Sequence, residues 1–161
     1  MTRALAGLLL LAGCGSPEPQ ADRSGGAALE QAARARGLVA ADGQATPVGV
    51  YRNGGDQVCV VPAGGGYRVG ASVDYGEGQR CVARGSASGR APLSVDAGEG
   101  CRFDVQVDAD RVTFPAVLPA ACDAACTGRA SLTALTAERL SDASAEARQV
   151  RGADGRLLCG D

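Results

Sequence analysis

The sequence predicts a mainly β fold: a small antiparallel meander, barrel or sandwich, with a short N-terminal helix, a short C-terminal helix and disulfide stabilisation. Three observations predict it. Two runs alternate strictly between apolar and polar residues, glycine-rich turn clusters recur at short spacing, and six cysteines follow residue 50 in a chain with only 3% aromatic residues. Tyr67, Val69, Ala71, Val73 and Tyr75 alternate with Arg68, Gly70, Ser72 and Asp74, and Cys101, Phe103, Val105 and Val107 with Arg102, Asp104, Gln106 and Asp108. Period two gives a strand one apolar face and one wet face.

In chain order, Ala27 to Arg36 is rich in alanine and ended by Gly37, which predicts a short helix. Arg34 and Arg36 at its end suit the negative pole of the helix dipole. Strands are predicted over 48–52, 57–62, 67–75, 79–85, 92–96, 101–108 and 111–115. The clusters Asn53-Gly54-Gly55-Asp56, Ala63 to Gly66, Gly76-Glu77-Gly78 and Asp108-Ala109-Asp110 separate several of them, since glycine supplies the positive φ of tight hairpins. Such short connections make neighbours antiparallel. Pro115 and Pro119 end the run. Leu132, Leu135 and Leu140 fit a strand or a helix equally. Ser141 and Asp142 read as a helix start, Ala143 to Arg151 as its body and Gly152 as its stop. Asp154-Gly155 then turns the chain into Leu157-Leu158-Cys159, a last strand. The bulky part of the core falls to Tyr51, Tyr67, Tyr75, Phe103 and Phe114.

Residues 1–13 have the layout of an export signal: Arg3, an apolar run from Ala4 to Leu11, then small residues. The run is too short to span a bilayer, which takes roughly 18 to 20 residues. Leu11-Ala12-Gly13-Cys14 resembles the lipobox of bacterial lipoproteins in all four positions. That resemblance implies a lipid on Cys14, cleavage before it, and a membrane anchor. Gly15 in place of Asp implies the outer membrane, facing the periplasm. The organisation is then a signal peptide (1–13), a lipidated flexible tether (14–26) and a single β-rich domain with flanking helices (27–161).

An oxidising compartment favours disulfides, and six cysteines besides Cys14 make an even set. Spacing suggests Cys59–Cys159, Cys81–Cys101 and Cys122–Cys126, among 15 combinatorial possibilities. The pair Cys81–Cys101 follows if the 92–96 segment is peripheral.

Composition excludes several chemistries. The chain has no His, Lys or Trp, so it has no Ser-His-Asp or Cys-His catalysis, no histidine metal site and no Walker-type phosphate loop. Residues 1–13 carry one arginine and no acid, so without them the formal charge goes from −2 to −3. That gives no footprint for nucleic acid. The sixteen basic residues are all arginine, which reads as a GC-rich genome. Asp104, Asp108 and Asp110 lack the glycine and glutamate of a calcium loop. Asp74 and Glu77 flank a glycine-rich, solvated turn. Cys122-Asp-Ala-Ala-Cys126 is not the C-x-x-C of thiol oxidoreductases. No catalytic residue, cofactor or metal ligand is assigned.

The lipobox, compact β-rich domain and disulfides are loosely similar in architecture to the membrane-bound inhibitors of c-type lysozyme. That family's Ser-Gly-x-x-Tyr loop has its counterpart in Ser88-Gly89-Arg90-Ala91-Pro92, where the tyrosine is lacking. The reading is a non-enzymatic, lipid-anchored binding module for an envelope protein or polymer. The alternatives are an inhibitor of an exported hydrolase such as lysozyme and a carboxylate-dependent hydrolase.

Overall fold

The computed structural model describes residues 23–36 and 46–160. Cys14, the expected cleavage site and the expected tether up to residue 22 lie outside the described residues. So do Gly37 and the rest of the segment 37–45.

Eight strands form one closed antiparallel barrel, each paired with the next in sequence and β8 returning to β1. They are β1 (Gly49–Asn53), β2 (Asp56–Ala63), β3 (Gly66–Asp74), β4 (Arg80–Gly89), β5 (Leu93–Asp96), β6 (Arg102–Val107), β7 (Arg111–Thr113) and β8 (Thr136–Ser141). The first seven coincide with the seven predicted strands to within a few residues. The eighth resolves the leucine question. Leu132 and Leu135 are buried just before β8, whereas Leu140 on β8 is 64% exposed. Between Val50 and Tyr51 the β1–β8 register shifts from Ser141 to Arg139, so Leu140 is an extra bulged residue turned outward.

Inward-facing residues are mostly small and branched. Tyr51, Val58, Val60, Val69, Ala71, Val73, Ala83, Leu93, Val95, Val105, Val112 and Ala137 form the interior cluster. Phe103 and Phe114 meet inside with ring centroids 5.4 Å apart. Tyr75 does not join them. It lies past the end of β3 and is 57% exposed, a correction to the expected core.

The outer face of β2 to β4 is not wet either. The segment after β8 folds back over it, burying Val50, Cys59, Val61, Ala147, Val150, Leu158 and Cys159 as a second cluster with Val82 beside it. Gly70 makes this possible, because a Cβ there would lie 2.7 Å from the Leu158 carbonyl oxygen. The Ser72 hydroxyl, also buried, accepts the Ala153 amide at 2.9 Å.

Both helices differ from the expected ones. Helix α1 spans Arg23–Ala35, so the chain is already helical through Gly25 and Gly26, which the tether was expected to include. Helix α2 is only Ser144–Ala147, and Ser141 belongs to β8. The chain leaves helical geometry because Val150 must enter the outer cluster, where its carbonyl accepts the Leu158 amide at 2.8 Å. Leu157 makes one isolated bridge with Arg151, so the tail is a pinned coil and not a strand.

Cys59 pairs with Cys159, Cys81 with Cys126 and Cys101 with Cys122. The expected Cys81–Cys101 and Cys122–Cys126 pairs are not formed. Strand β5 is no peripheral segment: it pairs fully with the end of β4 and with β6, which separates Cys81 from Cys101. Cys122 and Cys126 lie along and just after a 3-10 helix, Ala120–Ala125. Its rise of about 2.0 Å per residue puts them about 8 Å apart along the axis, beyond disulfide reach. Each cysteine reaches a different strand instead.

Replacing Cys59 and Cys159 together by serine is expected to cost about 2–5 kcal/mol, the usual effect of opening a long disulfide loop. The urea midpoint measures it, and amides over 144–158 should exchange before those of the barrel.

Candidate functional site

The two barrel ends are closed differently. At the end carrying the β2–β3, β4–β5 and β6–β7 turns, Arg139 on β8 points inward beside Tyr51. Its guanidinium lies 4.8 Å from the Tyr51 ring centroid. Nη1 donates to the Val48 carbonyl at 2.6 Å, Nη2 to Thr46 at 2.9 Å and Nε to Ala109 at 2.8 Å. The Tyr51 hydroxyl donates to the Pro47 carbonyl at 2.8 Å. One cation thus holds the incoming chain, the β6–β7 turn and the ring. Burial pushes the Tyr51 hydroxyl up to about 12, against the pull of Arg139. Sequence reading missed Arg139, because nothing in Glu-Arg-Leu marks which residue turns inward at a bulge.

The opposite end is capped by the long β7–β8 connection. Leu132, Leu135 and Phe114 plug it from within. The 3-10 helix is bound to the start of β4 through Cys126 and to the start of β6 through Cys122. Among the described residues, a void of about 10 Å³ lies inside the wall, lined by Val69, Ala83, Val95 and Phe103 among others. That is about one water site. The barrel lumen is therefore a core, and recesses large enough for a partner lie on the outer wall.

Two such recesses stand out. The larger, about 630 Å³, is an open groove between β1, β8 and α2, lined by Val50, Leu140, Val150, Arg52, Glu146 and Arg151 among others. The smaller, about 240 Å³, lies between β4, the β5–β6 turn and the 3-10 helix. Its walls are mostly small, Ala83, Ala97, Gly98, Ala121, Ala124 and Ala125, with Val82 and Glu99 beside them. Arg84 borders it while donating to the Leu157 carbonyl at 2.7 Å and to Asp154 at 2.9 Å. That hydrogen bond holds the Asp154 carboxyl below the ordinary range.

The carboxylates singled out in the sequence are not brought together. Asp104 accepts the Ser94 hydroxyl at 2.7 Å on the outer wall, while Asp108 and Asp110 sit in the exposed β6–β7 turn. Asp74 is occupied by the Gly76 amide at 2.9 Å, and Glu77 turns the chain with φ 51°. The neighbour of Asp74 is Asp56, whose carboxyl is raised by burial, an effect that the Asp74 amide opposes and the Asp74 charge assists. Among the described residues, no three His, Cys, Asp or Glu side chains converge on a metal-sized site.

The chain matches no family model, and no curated protein or solved structure is significantly similar to it. The β4–β5 hairpin that carries Ser88-Gly89-Arg90-Ala91-Pro92 is exposed along these five residues. Gly89 pairs with Leu93 at its base, across a cis Ala91–Pro92 bond.

The tyrosine's position has a measurable consequence. From pH 10 to about 12 the unfolded chain has released the Tyr51 proton while the folded chain keeps it. The stability that the neutral hydroxyl supplies is complete below pH 10 and is lost as pH rises through that window, at about 1.4 kcal/mol per pH unit. Tyr51→Phe should remove that alkaline slope, as measured by denaturant unfolding between pH 9.5 and about 11.5.

Proposed function

We propose that this protein is a lipid-anchored envelope protein whose barrel is a rigid binding module recognising another protein or a polymer through its outer wall. One observation carries the reading: among the described residues the barrel interior is packed by its own side chains, Tyr51, Val58, Val60, Leu93, Val105 and Val112 among them. Recessed surface lies outside instead, in the groove beside Leu140 and the recess beside Ala124. Disulfides and the arginine contacts hold both in fixed shape, and a preorganised surface loses little entropy on binding. The lipobox Leu11-Ala12-Gly13-Cys14 supports tethering at the outer membrane, facing the periplasm.

A second reading, inhibition of an exported hydrolase such as lysozyme, is favoured by the exposed Ser88–Pro92 hairpin tip. A protruding loop on a rigid scaffold can enter an active-site cleft. The missing tyrosine makes Arg90 the side chain that would have to take up the contact.

Two measurements separate these statements. Cys14→Ser should abolish incorporation of labelled palmitate and move the protein from the membrane to the soluble fraction. Label retained on the serine variant would remove the anchor from the reading. In a lysozyme turbidity assay, the second reading predicts one-to-one inhibition that Arg90→Ala weakens at least tenfold. Undiminished lysis at excess protein rejects it and leaves the binding module.

A further inference from the structure

Strand β4 is ten residues long and β5 only four. Their ladder runs from Gly89↔Leu93 to Ser86↔Asp96 and stops. At the other end of β4, the Arg80 carbonyl accepts the Thr127 amide at 2.8 Å, and the Cys81↔Cys126 bridge covers the edge. Alternate residues of an antiparallel strand direct both backbone groups to the same side. Arg80 points away from β3, so Val82 and Arg84 do too, in the interval that neither β5 nor the cap reaches.

The ladder stops there for a local reason. The next partner of Arg84 would be Gly98. Its amide is taken by the Asp96 carboxylate at 2.9 Å, and its carbonyl by the Cys101 amide at 2.8 Å. Arg102 holds the same Asp96 carboxylate at 2.7 Å. The turn thus satisfies itself and leaves its strand partner. Among the described residues, no backbone hydrogen bond reaches the Arg84 amide, the Arg84 carbonyl or the Val82 carbonyl on that side. These groups face the 240 Å³ recess, whose other walls are alanine, glycine, Glu99 and the Cys101–Cys122 disulfide.

We propose that this recess is a binding site for an extended peptide segment with small side chains, which adds to the edge of β4 and takes the ladder position that Gly98 vacates. The chemistry of the vacancy selects the ligand. One amide and two carbonyls in strand geometry are complemented by the amide and carbonyl groups of another extended chain. The alanine and glycine walls leave space for a backbone and methyl-sized side chains but no pocket for a large one. The disulfides on either side fix the width of the gap, so the edge is open without the cap moving. The peptide class rests on the binding-module reading and narrows it to one surface.

The test uses the purified full-length protein and a phage-displayed library of linear dodecapeptides. Enriched peptides are synthesised and titrated by fluorescence anisotropy, with amide exchange followed by NMR. Before peptide is added, the Arg84 amide should exchange at least tenfold faster than those of Ala83 and Gly85, which pair with β3. Saturating peptide should slow it at least tenfold. Ala124→Trp, a change at an exposed position that fills the recess, should weaken binding at least tenfold, whereas Leu140→Arg in the separate groove should not. An Arg84 amide already as protected as its neighbours overturns the proposal, whether or not the tryptophan variant folds. Peptides that bind but are lost in Leu140→Arg and retained in Ala124→Trp also overturn it, while leaving the binding-module reading intact. No enrichment from the library, with no change at Arg84, counts against both.

Discussion

Everything in this molecule depends on the return of β8 to β1. Seven strands laid side by side would leave two open edges and a half-covered core. The eighth closes the ring, and it reaches β1 only after the chain has travelled across one barrel mouth between Phe114 and Leu135. That excursion does three things at once. It plugs the mouth with leucine and phenylalanine, covers the first residues of β4 and brings Cys122 and Cys126 to the strands they bind. With so few aromatic residues, the ring has to be narrow for valine and alanine to fill it.

The arginines have a structural role that composition alone does not suggest. Several irregular segments are held by a guanidinium donating to main-chain carbonyls. Arg139 binds the entry segment and Arg84 and Arg68 the tail, while Arg148 ties the segment after α2 to Pro62 on β2. A planar fork with five donors suits backbone that lacks ladder partners, because it satisfies several carbonyls from one fixed point. A GC-rich genome, as the composition suggests, would account for the basic residues being arginines. It does not explain why these ones are turned onto the chain where secondary structure ends.

The strands were legible because alternation is local: Val69, Ala71 and Val73 show their common face within one run. The tail was not, since its partner surface lies across the fold. Only the outward pair Cys59 and Val61 hints that β2 is covered on both faces. The disulfides divide on the same line. Cys59–Cys159 follows from placing the tail on the early sheet. The other two pairs require knowing that β5 stops at Asp96, which is decided by an aspartate capping Gly98 and not by hydrophobic pattern. The recess beside β4 was invisible for that reason, since it is made by a ladder that ends early. Arg139 escaped notice because a bulge broke the alternation at Leu140.

The sequence separations of the three disulfides carry a consequence for assembly. Hairpins β1 to β6 can zip in order, each new strand docking on the one before, with only short loops to close. Cys101 and Cys122 are separated by 21 residues and Cys81 and Cys126 by 45, so both bonds can form on a partly built sheet. Cys59 and Cys159 are 100 residues apart and meet only where the tail lies on the outer wall. The native partner of Cys59 is thus one of the last residues to arrive, and that cysteine must wait unpaired while four others compete for it. A polypeptide that emerges amino end first presents its cysteines in the least favourable order for this bond, which makes correct pairing a matter of timing as much as of geometry.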